Sequence, residues 1–353
     1  MILDDLTAMQ QLDASRMIDE IDHLPDQLEN AARQTQSLAF PNWGGVQRIV
    51  IAGMGGSAIA GDLISSSIVG SCPVPVMVHR DYGLPAWANS AECLVICCSH
   101  SGNTEETLSS FATAQEQGCR VAAITTGGQL RAKAESAGYP VWIFQHNGQP
   151  RSAIGYGFAY LAGIFTRLGL ANYTPDDFAK TAAWMRQEQQ KYLPATPVVN
   201  NPAKRQAGQM VNRNLFLFAS GQFAPVARRW KGQINELAKA PAAADQLPEA
   251  DHNSLAGSVY PPELLEHSLA LFIQSASDHP ANLNRSKLTR RAYMLAGIPT
   301  DHFTAAGETP LQQLWSAIHY GDYISYYLAM LYGVDPTPID AIQDFKKELS
   351  KSQ

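Results

Sequence analysis

The sequence contains no long apolar run and no block of charges of one sign. No apolar stretch approaches the roughly 18–20 residues that cross a membrane. The N-terminal MILDDLTAMQQLD is acidic, whereas a signal peptide begins with basic residues. Charged residues make up only 16% of the 353 residues, the formal net charge is −6, and the basic stripe of a nucleic-acid-binding protein is missing. We therefore expect a cytoplasmic protein that binds neither membranes nor nucleic acids.

Cysteine is scarce, and several common motifs are missing. The five cysteines lie in or beside apolar stretches and include no C-x-x-C pair; they are Cys72, Cys93, Cys97, Cys98 and Cys119. This pattern predicts buried free thiols in a reducing compartment, with neither disulfides nor a metal site. No G-x-x-x-x-G-K-[ST], H-E-x-x-H or G-x-S-x-G motif occurs, which excludes several classes of nucleotide-binding proteins and hydrolases.

Short apolar runs alternate with helix-like segments through most of the chain. In the first half these runs are at 47–54, 74–80, 93–99, 120–127 and 140–145, and glycine, proline or polar residues bound each of them. Continuous apolar runs are typical of strands in a parallel sheet that is covered on both faces. The alternation of strand and helix therefore predicts a doubly wound α/β domain.

The same alternation begins again after a break at 193–206 that is rich in proline and asparagine. Apolar runs at 215–222 and 267–277 predict strands, and a helical pattern follows each one. Residues 5–38 show helical periodicity, and the chain ends in a predicted short helix. The predicted fold class is α/β, with two doubly wound parallel sheets in three-layer domains. The predicted division is a helical segment plus first domain at 1–195, a second domain at 206–334 and a tail helix at 335–353.

The glycine-rich segment GMGGSA at 53–58 directly follows one predicted strand and directly precedes a helix. Its glycines let the backbone approach an anion closely, and a helix N-terminus offers unpaired N–H groups. A tight strand-to-helix turn that needs small residues explains the segment equally well. The segment also fits G-x-G-x-x-A, a weak dinucleotide-binding fingerprint that would use Asp81 as its acidic partner. An NAD(P)-dependent oxidoreductase is therefore an alternative at this point.

The segment SHSGNTEET follows the apolar run CLVICC and precedes another helical pattern. Asn103 and Glu106 are placed to form a capping box at the start of that helix. A cap does not explain Ser99, Ser101 and Thr104, which crowd the exit of the strand, where open α/β sheets bind ligands. Three hydroxyls together with backbone N–H groups suit a phosphate monoester. Two such loops favour a sugar phosphate over a dinucleotide.

The two loops together resemble the sugar isomerase (SIS) domain. Further segments make the chain similar, through nearly its whole length, to the bifunctional phosphoglucose/phosphomannose isomerase family. They are HRDYGLPAW (79–87), PRSAIGYGF (150–158), RWKGQINELAKA (229–240), LPEADHNSLAG (247–257) and GDYISYYLAMLYGVDPTPIDAI (321–342). The resemblance implies two SIS domains and interconversion of glucose 6-phosphate and mannose 6-phosphate with fructose 6-phosphate. It also implies that no metal or nucleotide is needed, and that the protein is a homodimer with active sites at the subunit contact.

Moving a carbonyl between C1 and C2 of a sugar requires a base that takes the C2 proton and returns it to C1 through a cis-enediol. By resemblance this base is Glu236 of the INE motif, which would otherwise be read as one more helix charge. The closed sugar ring also needs an acid at its ring oxygen, and histidine suits this role near neutral pH. By resemblance this acid is His252 of PEADHNSL, contributed by the neighbouring subunit.

The resemblance also assigns the remaining site residues. Negative charge on the enediol needs a fixed cation, and Arg151 of QPRSAIGY matches the arginine with this role. A lysine of the terminal helix is expected near the ring oxygen, and we assign Lys346 although the adjacent Lys347 also fits. Thr337 of DPTP is a candidate for tolerating the mannose epimer at C2. The residues that match the phosphate-binding positions are Gly56, Ser57, Ser99, Ser101 and Thr104.

The chain departs from the family pattern at three positions. His100 stands where tyrosine is common, and Leu237 and Asp251 stand where asparagine is common. These departures leave substrate preference and pH optimum open. One further alternative is an isomerase that acts on another sugar phosphate, such as an amino sugar. Another is a sensor of a sugar phosphate, which would keep the phosphate loops but would have no need of a base, an arginine and a histidine together.

Overall fold

Two parallel β-sheets organise the chain, and helices cover both faces of each. The structure is a computed structural model, and it describes residues 2–351. In chain order the elements are α1 (Leu6–Leu12), α2 (Met17–Asp22), α3 (Leu24–Gln34), β1 (Arg48–Gly53), α4 (Gly55–Ile68), β2 (Val76–His79), β3 (Cys93–Ser99), α5 (Glu105–Glu116), β4 (Arg120–Thr125), α6 (Gly128–Ser136), β5 (Val141–Ile143), α7 (Ile154–Arg167), α8 (Pro175–Gln189), α9 (Pro202–Met210), β6 (Asn214–Ser220), α10 (Ala224–Leu237), β7 (Ala242–Leu247), α11 (Pro262–Glu266), β8 (Ser268–Ser275), α12 (Pro280–Leu295), β9 (Thr300–Ala305), α13 (Pro310–Tyr332) and α14 (Asp340–Lys351).

The first sheet has the strand order β2-β1-β3-β4-β5, and all neighbouring strands are parallel. Every residue of β3 is buried. Ile49 and Ile51 of β1 belong to the core on one face of the sheet, and Val50 and Ala52 belong to the core on the other. Because both faces are covered, the central strands read as continuous apolar runs. The predicted α/β class with parallel sheets is confirmed.

The strand order of this sheet reverses at β1, which has β2 on one side and β3 on the other. Open α/β sheets bind ligands beyond the carboxyl ends of the strands at such a reversal. Gly53, the last residue of β1, lies opposite Cys98 near the end of β3. The loops that follow β1 and β3 are therefore side by side, although they are distant in sequence.

The second sheet has the order β7-β6-β8-β9 and is also parallel. The predicted strands at 215–222 and 267–277 are confirmed as β6 and β8. The sequence analysis missed β7 and β9, whose sequences are AAADQL and TDHFTA. Both are edge strands and remain partly exposed, so neither forms the apolar run that marks a central strand.

Helix α13 joins the two halves of the molecule and was also missed. Nearly all of its side chains are buried, so it lacks the amphipathic pattern that reveals a surface helix. It packs against α8, α9 and α10. Trp230 of α10 donates a hydrogen bond from Nε1 to the carbonyl oxygen of Ala317, at 2.8 Å. A Cβ at Gly321 would lie 2.1 Å from that nitrogen, so only glycine lets α10 approach this closely.

The helices near both ends of the chain agree with the sequence analysis. The break predicted at 193–206 agrees with the structure only in part. Helices α1 to α3 confirm the helical pattern at 5–38, and α14 confirms the terminal helix. Residues 193–206 are not all irregular, because Asn201 caps α9 through the Lys204 N–H and Pro202 takes the first helical position. No helix within residues 2–351 is both long enough and apolar enough to span a membrane.

The five cysteines are free thiols, as predicted, and four of them are buried. Burial raises the pKa of the Cys93 thiol to about 12. A thiol with such a pKa stays protonated at neutral pH and is a poor nucleophile or metal ligand. Within the described part of the chain, no group of three or more His, Cys, Asp or Glu side chains is arranged to hold a metal ion.

Candidate active site

Two helices begin where the strand order reverses. Helix α4 starts at Gly55 directly after β1, and α5 starts shortly after β3. Among residues 2–351, their N-cap residues, Met54 and Thr104, form no side-chain cap on the first turn. Gly55 takes a φ of 50°, which favours glycine at this sharp turn. The backbone N–H groups at the starts of α4 and α5 and the positive ends of their dipoles therefore suit the binding of an anion at this edge of the sheet.

The predicted capping box of Asn103 and Glu106 is wrong. Helix α5 begins one residue later than the box requires, with Thr104 at the N-cap position. The Oδ1 atom of Asn103 instead accepts a hydrogen bond from the backbone N–H of Gln129, at 3.1 Å. The start of α6 also offers N–H groups that need acceptors, and Asn103 satisfies one of these. The cap interpretation of this loop therefore fails.

Hydroxyl groups gather in the loop after β3. Ser99 Oγ and Thr104 Oγ1 are 2.8 Å apart, and Ser99 Oγ also accepts from the Gly102 N–H at 3.1 Å. Ser101 is exposed, and its Oγ accepts from the Asn103 N–H at 3.2 Å. In the pair of Ser99 and Thr104 one hydroxyl donates to the other, so one hydrogen is left for a ligand. The loop can therefore donate several hydrogen bonds to one group of acceptor oxygens.

The same loop is fixed by the neighbouring loop after β4. Gly102 takes a φ of 69°, and a Cβ there would lie 1.8 Å from the carbonyl oxygen of Gly127. Thr126 Oγ1 donates to the carbonyl oxygen of His100 at 2.7 Å, and Leu130 N–H donates to the carbonyl of Gly102 at 2.9 Å. The hydroxyls are consequently held in place before any ligand arrives.

The corresponding loop of the second sheet is filled by its own side chains. After β8, the backbone N–H of Ser275 donates to the Asp278 carboxylate at 2.8 Å. The hydroxyls of Ser275 and Ser277 both donate to Gln313 Oε1, at 2.8 and 2.7 Å. In the second sheet, a carboxylate of the chain itself therefore already accepts from the backbone N–H at the end of the strand. This contrast makes the loop after β3 the better candidate for phosphate binding.

Arg151 and Glu236 come from separate parts of the chain and meet near the start of α4. Arg151 lies in a short 3-10 turn before α7, and only 3% of its surface is exposed. Its Nη1 is 3.4 Å from Glu236 Oε2, and its Nη2 donates to the carbonyl oxygens of Pro336 and Thr337 at 2.9 and 2.7 Å. Burial lowers the pKa of Arg151, and the Glu236 carboxylate opposes this shift. A charged guanidinium is thus held beside a carboxylate that remains partly accessible.

Arg151 and Glu236 line a cavity of about 160 Å³ together with Gly55 and Gly56. Its lining includes one acidic side chain, Glu236, and five basic ones: Arg80, Arg151, Arg228, Arg229 and Lys231. Asp62 pairs with both Arg80 and Arg228 outside the cavity lining. A cationic concavity in a protein with a net charge of −6 favours an anionic ligand.

A buried ion pair supports Arg151 from behind, and the sequence analysis missed it. Arg229 donates to both carboxylate oxygens of Asp322, from Nε at 3.2 Å and from Nη2 at 2.8 Å. Its Nη1 donates to the backbone carbonyl oxygen of Arg151 at 2.7 Å. Gln233 Nε2 donates to Asp322 Oδ1 at 2.9 Å. Asp322 lies on α13, which shows no amphipathic pattern, and the resemblance of the segment at 321–342 assigned no role to this residue.

The structure places a different lysine beside Glu236 from the one that the sequence analysis assigned. Lys346 is exposed on α14. Its role near the ring oxygen of the sugar stays a prediction. Lys239 Nζ donates to the backbone carbonyl oxygens of Glu236 and Pro336, at 2.5 and 3.4 Å. Burial lowers the pKa of Lys239, and the nearby Arg151 lowers it further. Lys239 belongs to the INELAKA segment, and its spacing three residues after the glutamate was the available signal.

Thr337, the candidate specificity residue, lies close to Arg151, and its role stays a prediction. Its carbonyl oxygen accepts the hydrogen bond from the arginine, and its Oγ1 is buried without a hydrogen-bond partner in residues 2–351. A buried hydroxyl without a partner is costly. A sugar hydroxyl is one group that could satisfy it.

His252 does not lie with Glu236 within a single chain. It ends a short 3-10 turn after β7, is exposed, and is not among the residues that line the cavity around Glu236. The preceding Asp251 directs both carboxylate oxygens to α12, accepting from Arg285 Nη1 at 3.0 Å and from Thr289 Oγ1 at 2.6 Å. The turn that carries His252 is thus anchored to α12, and its imidazole is no part of its own chain's cavity.

The two parallel sheets and the helices around them define a two-domain SIS protein, and comparisons with known proteins agree. Residues 199–349 match the family model described as the bacterial phospho-glucose isomerase C-terminal SIS domain. The hypothetical protein TT0462 from Thermus thermophilus has a similar structure, with a TM-score of 0.75 and 16% identity, covering 98% of this chain and 94% of that one. Tagatose-6-phosphate ketose/aldose isomerase from Escherichia coli has a TM-score of 0.69 and 17% identity, covering 90% and 93%. At these identities the likeness shows the fold.

Relatives with higher identity show the family. The bifunctional phosphoglucose/phosphomannose isomerase of Caldicellulosiruptor bescii is 35% identical over 337 residues, covering 95% of this chain and 99% of that protein. The protein of the same name from Aquifex aeolicus is 32% identical over 309 residues, covering 86% and 90%. The chain belongs to the bifunctional phosphoglucose/phosphomannose isomerase family.

Proposed function

We propose that the protein interconverts glucose 6-phosphate and mannose 6-phosphate with fructose 6-phosphate. The observation that carries this proposal is the pairing of buried Arg151 with Glu236 beside the uncapped start of α4. Proton transfer through an anionic enediol needs a carboxylate base next to a fixed cation. The family membership supports the same reaction, since relatives carry the names of both isomerase activities.

In this proposal the 6-phosphate binds between the N-termini of α4 and α5. Gly56 and Ser57 offer the first turn of α4, and the loop after β3 offers the hydroxyls of Ser99, Ser101 and Thr104. The dianion is stabilised by two helix dipoles and by the basic side chains around the cavity. The phosphate thereby holds the other end of the sugar against Glu236 and Arg151.

Glu236 then moves one proton between two carbons. Its carboxylate takes the proton from C2 of the open-chain aldose while the C1 carbonyl oxygen gains a proton, which gives the cis-enediol. The same carboxyl returns its proton to C1, and the C2 hydroxyl loses its proton to become the ketone. Arg151 lies 3.4 Å from the carboxylate and stabilises the developing negative charge on O1 and O2. No step needs a metal or a nucleotide.

Ring opening needs His252, which we assign to the partner subunit of a homodimer. The exposed position of His252 supports this arrangement, because the imidazole is available to another molecule. Apolar side chains are also exposed nearby in sequence, at Val259, Tyr260 and Leu264, and on α14 at Ile342, Phe345 and Leu349. We infer that these side chains belong to the dimer interface, where contiguous apolar surface is commonly buried. The active site is complete only in the dimer.

The test of the proposed function is an assay of fructose 6-phosphate formation with EDTA present and without added metal or nucleotide. Glucose 6-phosphate and mannose 6-phosphate are supplied separately. We expect turnover of both sugars. Turnover of glucose 6-phosphate alone would keep the mechanism and remove the mannose activity, and it would direct attention to Thr337. Turnover of neither sugar would refute the proposal.

One relative favours a second candidate function. The D-glucosamine-6-phosphate 4-epimerase of Sulfolobus acidocaldarius is 32% identical over 210 residues, covering 59% of this chain and 63% of that protein. The phosphate site described above suits any hexose 6-phosphate, so an amino sugar is the alternative substrate. Conversion of glucosamine 6-phosphate in the absence of glucose 6-phosphate turnover would favour this candidate.

We expect the double variant Ser101→Ala, Thr104→Ala to raise KM for glucose 6-phosphate while kcat changes little. A hydrogen bond to a charged group contributes about 1.5–3 kcal/mol, so KM should rise by roughly tenfold or more for each hydroxyl lost. Steady-state kinetics measure both constants. Ser277→Ala is the matched control, since it removes a hydroxyl from the corresponding loop of the second sheet. An unchanged KM in the double variant would remove these hydroxyls from the phosphate site.

We expect Gly56→Ala to damage the site through the backbone of Arg151. A Cβ at Gly56 would lie 2.7 Å from the Pro150 carbonyl oxygen and 3.2 Å from Arg151 Cα. Displacing this turn costs about 1–3 kcal/mol of stability, and moving a catalytic group by about 1 Å can cost roughly 10²-fold in rate. Gly70→Ala is the control, because no atom lies within 4 Å of the position that a Cβ would take there. Thermal unfolding and kcat/KM of both variants would measure the effect, and full activity in Gly56→Ala would contradict it.

A further inference from the structure

A chain of hydrogen bonds leads from the N-terminal helices into the loop after β3. Glu20 of α2 accepts from His146 Nε2, with 2.8 Å between the oxygen and the nitrogen. His146 Nδ1 is 2.9 Å from Nε2 of His100. The Glu20 carboxylate packs closely against the backbone at Gly148, because a Cβ there would lie 2.4 Å from Glu20 Oε1. Three titratable side chains from distant parts of the sequence are thus connected in line.

The last member of this chain lies between two of the proposed phosphate-binding hydroxyls. His100 separates Ser99 from Ser101. It also lines a small cavity with Gly56 and Ser57, which belong to the loop after β1. His100 therefore faces a small cavity that it shares with the loop after β1.

The hydrogen-bond partners determine which nitrogen carries each proton. A carboxylate can only accept, so His146 must donate to Glu20 from Nε2. In a neutral ring, His146 Nδ1 then accepts, and the donor to it is His100 Nε2. The remaining nitrogen of His100, Nδ1, therefore carries a lone pair, and it is the atom that would gain a proton.

We propose that the Glu20–His146–His100 chain couples phosphate binding to the uptake of a proton at His100. The inference rests on the proposed function, because it takes the space beside His100 as the site of the 6-phosphate. When the dianion enters, His100 Nδ1 gains a proton from solvent and becomes a further cationic donor to the phosphate. No bond other than this N–H forms or breaks. Glu20 stabilises the resulting positive charge through His146.

The groups around His100 agree with this direction. Burial and the neighbouring His146 lower the pKa of His100 to about 4 in the unliganded protein, and Glu20 opposes this shift. Two further titratable side chains face the pair: Tyr156 of α7, whose ring is 6.1 Å from that of His146, and Cys98 of β3, which lines the small cavity with His100. Burial raises the pKa of the Tyr156 hydroxyl and of the Cys98 thiol, so both remain neutral near pH 7.

The sign of the pH dependence follows from linkage. Free His100 is neutral above pH 4, and a bound dianion raises its pKa. Between the free and the bound pKa values, binding takes up a proton, so affinity increases as the pH falls through that window. The increase is at most about tenfold per pH unit for one proton.

The experiment uses sorbitol 6-phosphate, which lacks a carbonyl group and cannot be isomerised. Titration calorimetry in buffers of different ionisation enthalpy at about pH 7.5 gives the number of protons taken up on binding. A phosphate monoester with a second pKa near 6 is mostly dianionic at this pH, so most of the uptake belongs to the protein. We expect a measurable uptake in wild type and none in His100→Tyr, which still binds the ligand. His146→Gln and Glu20→Gln should reduce the uptake, and His267→Gln should not.

A second measurement needs no variant. The ring nitrogens of His100 can be followed by NMR of the intact protein labelled at histidine, as a function of pH, with and without sorbitol 6-phosphate. We expect the ligand to raise the pKa of His100 from about 4 to near 7, a shift of about three units and roughly a thousandfold coupling, which is the size that a measurable uptake near pH 7.5 requires. If the ligand binds and the pKa of His100 does not move, the inference is wrong while the proposed function stands. If sorbitol 6-phosphate does not bind at all, the proposed phosphate site fails first and the inference fails with it.

Discussion

A Glu236→Gln variant is expected to lose roughly 10²–10⁴-fold in kcat and still bind sugar phosphate. The carboxamide has nearly the same shape as the carboxylate but cannot take a proton from carbon, so the contribution of general base catalysis is removed. Binding should persist because the proposed phosphate site lies at the helix N-termini and uses other residues. The measurements are kcat in the fructose 6-phosphate assay and the affinity for sorbitol 6-phosphate by calorimetry.

Two controls make the result specific. Glu263→Gln makes the same chemical change on α11, at an exposed position away from the cavity, and it should leave kcat unchanged. Loss of deuterium from glucose 6-phosphate labelled at C2 measures proton abstraction directly. The Glu236→Gln variant should stop this loss. Exchange at the wild-type rate in Glu236→Gln would show that another group is the base.

The largest expected loss of stability is for Asp322→Asn. Asp322 and Arg229 are both buried, with 3% and 4% of their surfaces exposed. Removing the carboxylate charge leaves the guanidinium without its counter-charge in the interior, which costs about 3–5 kcal/mol. The free energy of unfolding in urea measures this loss. Because Arg229 also donates to the carbonyl oxygen of Arg151, kcat should fall under conditions where the variant is still folded.

The control for this prediction is a similar pair on the surface. Asp344 and Lys347 of α14 form an exposed ion pair with 3.1 Å between the charged atoms. Asp344→Asn should change stability very little, since exposed pairs contribute little. A double variant, Arg229→Met with Asp322→Leu, should recover part of the stability lost by Asp322→Asn, because no charge then remains buried. Equal, small losses in Asp322→Asn and Asp344→Asn would contradict the argument.

Local sequence patterns were sufficient to predict most of the strands and helices of the fold. The apolar runs of β1, β3 and β4 read as buried parallel strands because a helix layer covers each face. The same reasoning missed β7 and β9, since edge strands need less apolar surface. It also missed α13, because a helix that is buried all round shows no polar face from which its period could be read.

The capping prediction failed for a related reason. Asn103 and Glu106 have the right spacing for a capping box, and sequence spacing cannot show that another helix start competes for the same side chain. The loop after β4 brings the Gln129 N–H within 3.1 Å of Asn103 Oδ1. The hydrogen bond between the two loops therefore takes the place of the capping hydrogen bond that the spacing within one loop had predicted.

By itself the sequence determined the class of fold, the two loops that suit a phosphate and, through resemblance, the residues worth testing. These depend on composition, period and short motifs, which act over a few neighbouring residues. Only the tertiary structure decided that Arg151 meets Glu236, that Asp322 supports them, and that Glu20 and His146 reach His100. Each of these contacts joins residues far apart in the chain. Their geometry depends on how the helices pack around the sheets, and no local pattern encodes that distance.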